Sequence, residues 1–447
     1  MQRQFQVKLE QQLAEAARAV LARYKPVVVA VTGSVGKTST KDAIAAVLGT
    51  HETVRASQGN YNNELGLPLT ILGEPSPGRS LLGWWRLLRR ARTLARGSAR
   101  STAEHYPAVL VLEMAMDHPG DLAQLVAIAQ PSISVVTNVG ESHLEFFTSL
   151  EAIAKEKATI IEALPASGIA IVNADDPRVS KMRPHDGTVM TFGIHNEADV
   201  RGIGLTATDQ LPDKALQDHT LQRLQGLGVP LGTAFKISYK GQTVPVRLPR
   251  VLGTQQVYSA LAAAAVGLAR GRNLVEISQA LLEFVPPLGR MNLIPGLKDS
   301  LIIDDTYNAS PASTSAALDV LAELKPQGRR IAILGDMAEL GAATESGHQA
   351  VGKRAATACD FAIFVGPKMK FAALAAEQVG LIDQRQTHVN DASQVEAVLQ
   401  TVMRAGDVLL VKGSQVMRME RVVKSLMAEP ERADQLLVRQ TGLWENR

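Results

Sequence analysis

The apolar residues of this chain fall into two kinds of run that take turns. Residues 27–31 (VVVAV), 109–113 (VLVLE), 133–137 (ISVVT) and 168–173 (GIAIVN) are short, nearly unbroken and rich in β-branched side chains, which predicts strands buried on both faces. Between them apolar positions recur at helical spacing over 41–48, 121–129 and 150–164, which predicts covering helices. An opening helix over 4–23 rests on Leu9, Leu13, Ala16, Val20 and Leu21, and Pro26 ends it. Such alternation implies a parallel sheet with helices on both faces. Over 199–250 the pattern changes. The run AFKISYKGQTVPVRL alternates about Lys240-Gly241 and predicts a hairpin, a small antiparallel addition to the sheet. Helices over 254–270 and 274–284 follow, and Pro286-Pro287 marks a domain boundary. A second alternating unit carries strands at 301–304, 331–334, 361–365 and 408–411.

The expected fold is therefore α/β throughout. A helix (1–25) leads into a central parallel-sheet domain (26–288) with the hairpin and an insertion at 75–106. A Rossmann-like C-terminal domain (289–430) and a charged, peripheral tail (431–447) complete it. Ligands in such sheets sit beyond the carboxyl ends of the strands.

The first strand runs straight into Thr32-Gly33-Ser34-Val35-Gly36-Lys37-Thr38-Ser39-Thr40 and then a helix. A strand, a glycine turn and a helix N-terminus make an anion site, because free N–H groups and the helix dipole both face the ligand. Lys37 can reach outer phosphates and the Thr38 hydroxyl can ligate Mg²⁺. The loop predicts a nucleoside triphosphate.

Composition narrows the setting. Apolar residues make up 46% and charged residues 20% of the 447 positions, which suits two or three packed domains. The formal net charge of +3 favours no particular partner, nucleic acid included. One cysteine, Cys359, excludes an internal disulfide. No secretory h-region and no membrane-length apolar run is visible, so a cytoplasmic location is expected.

One segment departs from the average. Between Glu74 and Glu104 stand seven arginines (Arg79, Arg86, Arg89, Arg90, Arg92, Arg96, Arg100) and no acidic residue. On a helical wheel Trp84, Leu87, Leu88, Ala91, Leu94 and Ala95 share one side and most arginines the other. Two uses fit this pattern best, with nucleic-acid binding a weaker third. One is an anionic membrane surface met through 79–100, which would put the chain at the inner face of the membrane. The other is a helix docked on its own domain with arginines in water.

Further motifs are GNYNNELGLPLT (59–70), LEMAMDHPGD (112–121), TNVGESHLEFF (137–147), AKEKATI (154–160), NADDPR (173–178), LGRM (288–291), IDDTYNASP (303–311), LGDMAELG (334–341) and VKGSQVMRME (411–420). With TGSVGKTST (32–40) and in this order, the chain resembles the Mur ligases, the ATP-dependent amide-forming enzymes of peptidoglycan synthesis. The last three motifs point to the branch that adds D-Ala-D-Ala to a muramoyl-tripeptide. The resemblance implies an ATP-dependent acid–amino-acid ligase working through an acyl phosphate, with two Mg²⁺ ions. It implies that Gly33, Ser34, Val35, Gly36, Lys37, Thr38, Ser39, Asn138, Arg290 and Asp305 hold the nucleotide, with Asn173 shaping its pocket. Thr38 and Glu113 would hold one Mg²⁺; Glu113, His143 and a carbamylated lysine would hold the other. By alignment Lys157 is the better candidate for that lysine and Lys155 the worse. Asn60, Asn63, Asn308, Asp336, Lys412 and Ser414 would face the acceptor and the amine substrate.

The resemblance has two departures. Only 31 residues precede Thr32, where a typical member carries a uridine-binding domain of about a hundred residues, an ordinary small-domain length. Gln255, Gln256 and Ser259 stand where the family places adenine-contacting His and Asn, which bears on base preference. Competing readings are a ligase of the cyanophycin or folylpolyglutamate type, and a membrane-associated ATP-binding scaffold without ligase activity.

Overall fold

The computed structural model describes residues 2–59, 61–97, 106–140 and 146–440. In chain order, the first part holds α1 (Gln2–Tyr24), β1 (Val27–Thr32), α2 (Lys37–Gly49), β2 (Val54–Ala56), α3 (Gly66–Leu72), α4 (Leu81–Arg96), β3 (Val109–Glu113), α5 (Asp121–Ile128), β4 (Ile133–Val136), α6 (Leu150–Glu162), β5 (Ile169–Asn173), β6 (Thr188–Gly193), β7 (Val200–Thr208), α7 (His219–Leu224), β8 (Gly232–Tyr239), β9 (Gln242–Pro249), α8 (Thr254–Ala269) and α9 (Leu274–Leu281). The second holds β10 (Asn292–Gly296), β11 (Ser300–Asp305), α10 (Pro311–Glu323), β12 (Arg330–Gly335), α11 (Thr344–Ala358), β13 (Phe361–Val365), α12 (Lys370–Gln378), β14 (Gln386–Val389), α13 (Val395–Val402), β15 (Val408–Lys412), α14 (Glu420–Leu426) and α15 (Ala433–Leu436).

The first sheet has nine strands in the order β2-β3-β1-β4-β5-β6-β7-β8-β9. It is parallel from β2 to β7, and the β8–β9 hairpin adds the antiparallel end. Successive β1 side chains serve opposite faces. Val28 and Ala30 join a core made with α1, α3, α5 and α6, while Val29 and Val31 join one made with α2, α8 and α9. A fully apolar strand is what two covered faces require. The alanines 260 and 262–265 are fully buried in α8, and a Cβ at Gly267 would lie 2.8 Å from Val47. Small side chains thus let α8 lie close on α2. The second sheet runs β10-β11-β15-β12-β13-β14, parallel but for the edge strand β10. Cys359 is buried just before β13, its thiol pushed up to about 12 by burial.

One of the two uses offered for the arginine-rich segment is seen, and one expectation changes. The arginine-rich helix α4 docks on its own protein: Trp84, Leu87 and Ala91 are buried in the core shared with α1, and Tyr24 Oη donates to the Leu94 carbonyl at 3.1 Å. The tail is not peripheral up to residue 440. Ala433 and Leu437 are buried in the second domain's core. Arg439 is nearly buried and donates to the Thr306 and Tyr307 carbonyls and to Glu420. A buried guanidinium needs such partners, and its partners lie in another motif.

Candidate active site

Gly33 and Gly36 shape the loop after β1. A Cβ at Gly33 would fall 1.9 Å from Thr137 Oγ1, so only glycine lets β4's end approach. Gly36 stands before α2 at φ 84°, the left-handed region that glycine enters at least cost. Asn138 braces the turn from outside. Its Oδ1 accepts from the Ser34 and Val35 N–H groups at 3.1 and 2.8 Å, and its Nδ2 donates to the Val35 carbonyl. Asn173 in turn donates to the Thr137 carbonyl at 2.8 Å. Both asparagines therefore act on loop shape.

Lys37 opens α2, and its Nζ donates to the Gly33 carbonyl at 2.7 Å. Burial holds its ammonium below the ordinary lysine range, Arg290 adds to this, and Glu113 and Asp117 oppose it. Parallel pairing sets Val31 opposite Glu113, so the glutamate closes β3 beside the loop. Glu113 is buried. Its Oε1 accepts from Asn62 Nδ2 at 3.1 Å, and its Oε2 is buried with no partner. A buried carboxylate oxygen left unpaired is costly unless a cation meets it. That orphan, with Thr38 at the start of α2, fits a Mg²⁺ ion, which takes carboxylate and hydroxyl oxygens. Of the two lysines on α6, Lys155 is exposed and Lys157 is buried. Burial pushes Lys157 well below the usual lysine range, and nearby Lys37 adds to the shift. His143 and Asn60 lie outside the described residues.

The second domain completes the site. A cavity of about 120 Å³ is lined by Ser34, Val35, Gly36 and Ser39 on one side and by Arg290, Asp305, Asn308 and Lys412 on the other. Gln255, Gln256 and Ser259 form its α8 wall, and Gln256 Oε1 is buried without a partner. Lys412 Nζ donates to Asp305 Oδ2 at 2.6 Å and to the Asn308 carbonyl at 2.9 Å, a pair fixed by the register of β11 against β15. The Arg290 guanidinium lies 4.2 Å from the Tyr307 ring centroid. Ser310 and Pro311, the last two residues of IDDTYNASP, cap α10 together with Ser313, so the end of that motif is helix chemistry.

Other candidates hold loops. Asn63 Oδ1 accepts from the Gly66 N–H at the start of α3. Asp336 accepts from the Lys368 and Met369 N–H groups, and Ser414 Oγ accepts from Ala338 N–H at 2.8 Å. Sequence reading passed over Asn62, Tyr307 and Arg439. Asn62 and Tyr307 sit inside quoted motifs, but Arg439 carried no signal.

The Mur ligase middle domain pattern matches residues 31–77 and 97–267, and the Mur ligase glutamate ligase domain pattern matches 289–415. The UDP-N-acetylmuramoyl-tripeptide--D-alanyl-D-alanine ligase of Mycobacterium tuberculosis is 34% identical over 441 residues, covering 93% of this chain and 76% of its own. The chain belongs to the Mur ligase family. The Escherichia coli enzyme of the same name is 33% identical over 402 residues, covering 89% of this Mur ligase and 76% of itself. Among solved structures, MurF from Thermotoga maritima in complex with ADP superposes with a TM-score of 0.75 at 27% identity, over 95% of this chain and 84% of that one. MurF from Acinetobacter baumannii gives 0.73 at 25% identity, over 94% and 80%. The match breaks at 78–96, the stretch that holds α4.

Proposed function

We propose that this Mur ligase is a MurF-type enzyme joining D-Ala-D-Ala to a muramoyl-tripeptide at the cost of ATP. The reading is carried by one observation: loop residues 34–36 and Arg290, Asp305, Asn308 and Lys412 of the other domain line a single cavity. The γ-phosphoryl group would pass from ATP to a carboxylate oxygen of the tripeptide, giving ADP and an acyl phosphate. The amine of D-Ala-D-Ala would then attack that carbonyl, form the amide, lose a proton and expel phosphate. Lys37 would hold the outer phosphates, and Arg290 and Asp305 would bind the nucleotide from above. Asn308 and Lys412, tied to each other, would shape the amine side beside Asp336 and Ser414.

Thr38 and Glu113 would hold one Mg²⁺, and Glu113, Lys157 and His143 a second. Such ions screen the charge between phosphate and carboxylate. Burial favours the neutral Lys157 amine, the form that adds CO₂ with loss of a proton to give an anionic carbamate. The unpartnered Glu113 Oε2 supports the metal role. The reaction needs no membrane-spanning part, and no helix among the described residues is long and apolar enough to cross a membrane. An anionic surface met through residues 79–100 is a separate question that turns on α4.

The test is mass-spectrometric detection of product from ATP, UDP-MurNAc-tripeptide and D-Ala-D-Ala, alongside phosphate release. Phosphate release that requires both peptides, with the amide formed, is the expected result. Release indifferent to D-Ala-D-Ala would favour another amine, and no release would leave a nucleotide-binding scaffold.

A further inference from the structure

Helix α4 has two faces, and the fold uses one. Trp84, Leu87 and Ala91 are buried against α1. Outside that buried stripe, Leu81, Leu82 and Trp85 are 67%, 56% and 57% exposed. These three stand on the first turn and a half, so they form an apolar tip. Behind the tip Arg86, Arg89, Arg90, Arg92 and Arg96 are all exposed. Among the described residues these arginines make one ion pair, Arg90 with Glu74 at 3.3 Å, and the Arg89 guanidinium sits 5.7 Å from the Trp85 ring centroid. No acidic residue lies on the helix to balance them. An ordinary solvated face mixes charge signs and exposes few large apolar groups together.

We infer that α4 docks the enzyme on an anionic lipid surface, with Leu81, Leu82 and Trp85 entering the headgroup layer and the arginines meeting lipid phosphates. Charge chooses the occupant: five exposed guanidinium groups around an apolar tip match a surface that is anionic outside and apolar beneath. The break in the family match supports this. Residues 78–96, which hold α4, are not matched by the family pattern. The groove beside α4, lined by Arg86, Arg89 and Arg90, meets the cleft between the domains at Ser76. Ser76 N–H donates to Tyr61 Oη at 2.8 Å, and Tyr61 lines that cleft. Docking through α4 therefore sets the cleft mouth one short segment from the bilayer.

The measurement is co-sedimentation of the full chain with vesicles of phosphatidylcholine alone and of equal parts phosphatidylcholine and phosphatidylglycerol. It reads adsorption and not turnover, so its outcome is independent of the ligase assignment. Binding to the mixed vesicles only is expected, weakening with salt. A basic residue near such a surface is worth about fivefold in binding. The variant Arg86→Glu, Arg89→Glu, Arg90→Glu should therefore lose binding by more than a hundredfold, a rough product of the three contributions. The variant Leu81→Ser, Leu82→Ser, Trp85→Ser should weaken it, and lysine at the three arginine positions should retain it. Circular dichroism and phosphate release of each variant check that the fold survives. Failure of the wild type to bind anionic vesicles, equal binding to both vesicle types, or undiminished binding by the folded glutamate variant would each overturn the inference. So would capture of an acidic protein without vesicle binding.

Discussion

Replacing Arg439 with alanine asks whether the chain beyond α14 is part of the working enzyme. The guanidinium donates to the Thr306 carbonyl at 2.6 Å and to Glu420 Oε2 at 3.0 Å. Hydrogen bonds to charged groups contribute about 1.5–3 kcal/mol each. Glu420 is fully buried but keeps Arg418 as a second partner, so the loss falls below that of a buried charge left bare, about 3–5 kcal/mol. The expected cost is about 2–4 kcal/mol. Arg439 sits at φ 59°, and alanine suffers the same backbone penalty there, so the substitution isolates the side chain. Domain-resolved calorimetry should show the second domain's Tm falling by about 5–12 °C. The anchored carbonyls belong to Thr306 and Tyr307, next to Asp305 and Asn308 at the cavity. A loosened loop should raise KM for ATP about tenfold, an energy of about 1.4 kcal/mol, with kcat changed less. Arg439→Lys should fall between, since it keeps the charge but not the fork. A loss under about 1 kcal/mol with KM unchanged would mean that 433–440 merely rests on the surface, and the reasoning would be wrong.

Lys37→Ala should abolish turnover and leave the circular dichroism spectrum intact; activity near wild type would refute the phosphate-loop assignment. Glu113→Gln should lose Mg²⁺-dependent phosphate release while the metal-free protein is at least as stable as wild type, because an unpaired buried carboxylate oxygen is replaced by a neutral one; a clear drop in metal-free Tm would argue against an unsatisfied site. Burial pushes the Asp304 carboxyl up to about 7. Its folded value thus lies above the unfolded one, and the native state loses stability as pH rises from about 4 through 7. Asp304→Asn should accordingly match wild type near pH 4 and exceed it by about 1–3 kcal/mol at pH 8, with chemical denaturation curves that stay parallel across pH counting against this.

Much of the architecture was written in residue order. The β1 segment VVVAV and the β3 segment VLVLE could only be strands covered on both faces, and the glycines after β1 announced the loop. The β14 segment QTHV, an edge strand half in water, shows no apolar signal. In α3, Gly66 and Pro68 disguise a helix whose first turn tolerates proline. The wheel drawn for α4 separated its faces correctly but could not say that α1 would cover one of them, because amphipathicity specifies a need for burial and not the partner. The site divides similarly. Lys37 and Glu113 followed from local pattern and strand ends. Arg439 did not, since its function depends on two carbonyls more than a hundred residues away and a carbonyl leaves no mark in sequence.

The sealed thiol before β13 makes the protein a convenient optical instrument. Cys359 is the only cysteine, and a thiol raised to about 12 is almost wholly unreactive toward maleimides at neutral pH. Dyes can therefore be directed to chosen sites without first removing a native sulfhydryl. Cysteines at exposed Val7 on α1 and Leu374 on α12 would report the distance between the two halves, and energy transfer between them would read, in single molecules, whether that distance changes when nucleotide is added.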